Sequence, residues 1–80
     1  MSITIVYSGN TPEHVKQMFE KLVEKYMADI EKDVLAAKGG IEVRYIDDKN
    51  AGVRAVCSNT ELRDRMTNKL NAILAQLWDN

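Results

Sequence analysis

The stretch that most constrains this chain runs from Thr11 to Lys38. Its apolar residues fall at Val15, Met18, Phe19, Leu22, Val23, Tyr26, Met27, Ile30 and Val34. That three-four spacing is one face of a helix, and charged residues fill most of the other side. Thr11 is the expected cap, Pro12 suits the first helical position, and Glu13 sets a negative charge near the positive helix end. Gly39-Gly40 is the expected stop. A continuous helix over this run would be about 40 Å long at ~1.5 Å per residue. The strands around it would span only about 20 Å. So the helix either breaks near Asp33 or carries its last turns past the sheet. In the second case Val34 and Leu35 need cover, from the C-terminal helix or from a partner or second copy.

The rest of the chain is short enough to pack against this helix. Ser2 to Ser8, rich in β-branched residues, reads as a strand with Ile3, Ile5 and Tyr7 turned to the core. Ile41 to Ile46 reads as a second strand and Gly52 to Cys57 as a third. They are joined as a hairpin by the polar turn Asp47-Asp48-Lys49-Asn50. Alternation sends Ile41, Val43, Tyr45, Val53, Ala55 and Cys57 inward. Ser58 with Glu61 forms the sequence of a capping box. It opens a last helix whose apolar face is Leu62, Met66, Leu70, Ile73, Leu74 and Leu77. The expected fold class is α+β, a two-layer β-α-β-β-α arrangement with both helices packed on one face of a three-stranded sheet. One domain spans residues 1–80.

With 80 residues the core is thin, so association with a partner or a second copy would add stability. The 11 basic and 12 acidic residues nearly cancel, which removes any bulk attraction to nucleic acid or an anionic membrane. Cys57 is the single cysteine, which excludes an internal disulfide and fits a reducing compartment. The N-terminus lacks a basic segment followed by an apolar run, so no signal peptide is expected. No apolar run approaches the ~18 residues of a membrane span. The expected location is cytoplasmic, with no membrane association.

Catalytic chemistry is not legible. His14, the only histidine, sits in the first turn of a helix with no nucleophile in view. Cys57 reads as a small core thiol, with no second cysteine and no basic cluster to activate it. Asp47 and Asp48 are too few to hold a cation, and Gly39-Gly40 precedes a strand where a phosphate loop needs a helix. The expectation is a protein that is not an enzyme and takes no cofactor or metal.

Binding surfaces are better represented. Arg44 and Arg54 fall on the outer face of the sheet, one on each hairpin strand. Sheets that bind single-stranded RNA place aromatic residues there for base stacking. Here parity turns Tyr7 and Tyr45 inward, so a nucleic-acid- or ribosome-associated module using Arg44 and Arg54 stands as the first alternative to a protein-binding module rather than as the main reading. Val6, Ile46 and Val56 on that face are either a protein contact or ordinary exposed β-branched residues. Arg63, Asp64, Arg65 and Lys69 read as a mixed solvated face of the last helix. Trp78 is either a lid on the core or an exposed anchor for a partner.

The second half of the chain carries a resemblance. Ile41-Glu42-Val43-Arg44-Tyr45 is followed by a polar turn, a short valine-bearing strand and a Ser/Thr-led helix with Arg65-Met66-Thr67, Leu70 and Trp78. This pattern resembles the DinI family, small bacterial and phage-borne proteins of the DNA-damage response. The resemblance implies a non-enzymatic regulator that binds the RecA recombinase filament and modulates the SOS response. That family engages the recombinase through a strongly acidic last helix. This chain offers only Glu61, Asp64 and Asp79 there, offset by Arg63, Arg65 and Lys69. These three acids, with Trp78, Arg44 and Arg54, are the expected partner-binding residues. A phage-encoded inhibitor of another host protein is the alternative, and a homodimer through the end of the first helix is a further one.

Overall fold

The computed structural model describes residues 3–47 and 49–78, the side chain of Trp78 excepted. Strand β1 (Thr4–Gly9) leads to helix α1 (Glu13–Tyr26) and a short helix α2 (Glu31–Ala36). Strands β2 (Gly40–Asp47) and β3 (Asn50–Val56) follow, and helix α3 (Thr60–Trp78) ends the chain. The sheet order is β1-β2-β3, with β1 parallel to β2 and β2 antiparallel to β3. The fold is the expected α+β class. The expected strand start at Ser2 and the turn residue Asp48 lie outside the described residues.

Side-chain alternation puts one sheet face under the helices. Ile41, Val43, Tyr45 and Ala55 are buried there, and Ile5, Tyr7, Val53 and Cys57 are partly covered. All of these but Tyr45 meet Phe19 and Val23 of α1, Val34 of α2, and Leu62, Met66, Leu70 and Ile73 of α3 in one core. Cys57 is only half-buried, because it follows the end of an edge strand where one side has no neighbour. Met18, expected on the core face of the first helix, is 48% exposed. The apolar arc of α1 is wider than the surface beneath it.

The long helix is not continuous, and its break comes before Asp33. Residues 27–30 form a turn in which Ile30 N–H donates to the Met27 carbonyl at 3.1 Å and helical bonding then resumes from the Ile30 carbonyl. Two causes meet here. Met27, Ile30 and Val34 are all fully buried, which a straight helix running past a short sheet does not allow. Asp29 sits in the break, and its carboxylate accepts from the Lys69 ammonium of α3, with which it pairs at 2.9 Å. That contact ties the turn to α3. Lys25, four residues before Asp29, has its ammonium 5.8 Å from the centre of the Tyr26 ring instead. Lys16 has its ammonium 5.3 Å from the centre of the Tyr7 ring.

Three terminal signals resolve differently from their sequence appearance. Thr11 Oγ1 donates to the Ser8 carbonyl at 3.4 Å, and Pro12 occupies the cap position of α1 with no side-chain cap bond. The cap of α3 is Asn59 rather than Ser58: its Oδ1 accepts from Leu62 N–H at 3.0 Å. The capping box read from Ser58 and Glu61 is therefore displaced. Helix α2 stops at Lys38, which takes the left-handed backbone (φ 55°) while Gly39 follows it. Lys38 N–H donates to the Leu35 carbonyl and Gly39 N–H to the Val34 carbonyl, the paired bonds that close many helix ends.

Candidate protein-binding surfaces

The outer face of the sheet has no covering layer. Register sets Val6, Glu42 and Arg54 in one row across the three strands, and Ser8, Arg44 and Gly52 in the next. Glu42 and Arg54 form an ion pair across the hairpin. Both side chains are well exposed, so the pair orients the guanidinium more than it stabilises the fold. Arg44 lies between Ser8, whose hydroxyl donates to the Val43 carbonyl at 3.2 Å, and Gly52, whose missing side chain leaves open space. Among the described residues Arg44 has no acidic partner. Val6, Ile46 and Val56 are 55%, 61% and 42% exposed on this face. Ile46 stands at a register shift between Tyr45 and Asp47, which lifts it out of the regular ladder.

The outer face of α3 is on the opposite side of the molecule. Glu61, Arg63, Asp64 and Arg65 are exposed in its first two turns, and Lys69 is held by Asp29. The helix carries two acids against three bases, and Asn68, Asn71, Ala72 and Ala75 occupy the exposed positions beyond them. It has no acidic ridge. Asp79 and the side chain of Trp78 lie outside the described residues. The expected binding residues thus divide: Arg44 and Arg54 share the open sheet face, while Glu61 and Asp64 share the helical layer behind it.

A third surface was not legible as a site. Strand β3 is the sheet edge, and α3 packs beside it. Between them runs a groove of about 500 Å³ with Val53, Ala55, Cys57 and Leu70 along its floor and Arg54, Arg63, Thr67 and Asn71 at its rims. Arg63 reads from sequence as one charge in a solvated helix face. Only the strand order makes it neighbour to a free strand edge.

The other notable groups serve the fold. Tyr7 packs edge-on against Phe19, with ring centres 6.4 Å apart, and its hydroxyl donates to the Lys16 carbonyl at 3.4 Å. Burial, then the Glu20 carboxylate nearby, pushes the Tyr7 phenol well above its ordinary pKa. The Tyr26 hydroxyl donates to Gln76 Oε1 and ties α1 to α3. Among the described residues no group of three His, Cys, Asp or Glu side chains could hold a metal ion. Among them, too, no helix is long and apolar enough to cross a membrane. Comparison with protein families, with characterised proteins and with solved structures returns no match.

Proposed function

We propose that this chain is a non-enzymatic cytoplasmic regulator that acts by binding another protein, and that it is a DinI-like modulator of the RecA filament in the SOS response. The observation that carries the binding reading is the uncovered sheet face. Three β-branched side chains stand 42–61% exposed on it, beside Arg44 and the Glu42–Arg54 pair. A mixed apolar and charged surface of this kind suits a protein contact. The RecA assignment rests on the resemblance. It is supported by Val43-Arg44-Tyr45 lying on the central strand, with Val43 and Tyr45 buried on its inner face and Arg44 turned out.

The two acids of α3, offset by Arg63, Arg65 and Lys69, give little support to contact through an acidic helix, so we place more of the interaction on the sheet face. The nucleic-acid alternative draws little support. Arg54 is already paired with Glu42, and the described outer face offers no aromatic side chain for base stacking. The test is co-sedimentation with RecA filaments formed on single-stranded DNA. Association at micromolar protein, weakened by Ile46→Asp, is expected. No association at that concentration removes RecA as the partner and returns the chain to the reading of an inhibitor of a different host protein.

A further inference from the structure

We infer that the groove between β3 and α3 receives an extended, acidic peptide segment of a partner protein, added as a fourth strand to the sheet. Three observations converge on this. The first is the edge itself. β3 pairs only with β2, so its outer backbone donors and acceptors face the groove. It carries neither proline nor lysine to discourage pairing, and its one charge, Arg54, leans to the outer face toward Glu42. The second is the floor. Val53 and Cys57 are only half-buried, and Leu70 of α3 lies beneath them. An added strand places alternate side chains over this floor and completes the burial. That is how strand addition combines backbone pairing with side-chain selection.

The third observation decides the occupant. The groove is lined by Arg54 and Arg63 and by no carboxylate. A second copy pairing through the same edge brings a second Arg63 and no carboxylate from its own groove, so it offers no charge complementarity to this lining. A strand carrying glutamate or aspartate at the positions beside Arg63 gains charge-assisted hydrogen bonds instead. Arg63 is the stronger recognition group, because Glu42 already engages Arg54. This inference stands on the groove alone and does not require RecA as the partner.

The experiment uses the full chain, isotope-labelled for nuclear magnetic resonance. The probes are two capped heptapeptides, one alternating glutamate with valine and one alternating lysine with valine. With the glutamate peptide, amide shifts are expected to concentrate in residues 53–57 and 63–71, with slowed hydrogen exchange in β3. Arg63→Glu is an exposed change whose folding circular dichroism checks, and it is expected to weaken binding about tenfold. The proposal is overturned if the glutamate peptide fails to bind at millimolar concentration, if the lysine peptide binds as well, or if Arg63→Glu binds unchanged. Shifts of β3 amides that grow with protein concentration alone give the edge to a second copy and overturn it too. Peptide binding without RecA co-sedimentation leaves the groove standing and removes only the RecA reading.

Discussion

Among the described residues, Gly9 and Lys38 alone hold the backbone at positive φ, and the two answer differently to substitution. Gly9 (φ 79°) pairs with Tyr45 at the end of β1, and a Cβ there would collide with the Tyr45 carbonyl oxygen. Both the conformation and the contact exclude a side chain. Gly9→Ala is expected to cost about 2–3 kcal/mol, read as a lower urea midpoint at unchanged slope. Lys38 (φ 55°) pays the strain that Gly39, one residue on, does not relieve. Lys38→Gly is expected to raise stability by about 0.5–1 kcal/mol in the same assay. Gly39 itself is kept small by packing: a Cβ would lie 3.2 Å from Val34 Cγ1 and from the Val56 carbonyl oxygen. The sequence pair Gly39-Gly40 marks the helix end correctly. Which residue turns left-handed is decided by the tertiary contact, and no local pattern shows it.

At the scale of elements, periodicity carries the reading and boundaries do not. Every strand has its inner and outer faces as alternation predicts, because one face is buried and a one-residue slip would reverse it. The helix caps shift by one residue because Ser58, Asn59 and Thr60 can all cap, and the chain uses the one whose carbonyl group reaches Leu62 N–H. The break between α1 and α2 is hidden for a related reason. Met27 and Ile30 keep helical spacing, and the burial that favours the turn shows only in the folded core. Asp29 in that turn links the break to Lys69, and the Lys69 ammonium holds its carboxyl below the ordinary carboxylate range. A depressed carboxyl contributes stability above its unfolded pKa of about 3.9 and loses it as pH falls through the folded value. Asp29→Asn is therefore expected to be less stable than the parent by a constant margin between pH 6 and 8, and to close that gap below about pH 4, where the parent loses the contact. An acid limb identical to the parent's would show that the Asp29–Lys69 contact does not contribute to folding.

For the whole molecule, the break in the first helix changes what the chain needs from a partner. A straight helix over Thr11–Lys38 carries Val34 and Leu35 beyond the sheet and leaves their cover to the C-terminal helix, a partner or a second copy. The observed turn folds α2 back, so that Val34 is fully buried within one chain and Leu35 alone stays on the surface at 40% exposure. What remained illegible in the sequence was strand order, and with it the free edge of β3 that puts Arg63 beside a groove. The two ends of α2 should then respond in opposite ways. Ile30 is fully buried where α1 gives way to α2, and Ile30→Ala removes side-chain volume that neighbours on both helices cannot refill. A loss of about 2–5 kcal/mol is expected, against a total stability of about 5–15 kcal/mol for domains in general. A chain this small lies toward the lower end of that range, so the variant is expected to be largely unfolded near body temperature by circular dichroism. Leu35→Asp changes a surface side chain and is expected to shift stability by no more than about 0.5 kcal/mol. It should also leave the molecular mass by light scattering unchanged, since the α2 surface is not what closes the core. A parent dimer that Leu35→Asp converts to monomer would overturn this account of the break, because it would place the missing cover in a second copy after all.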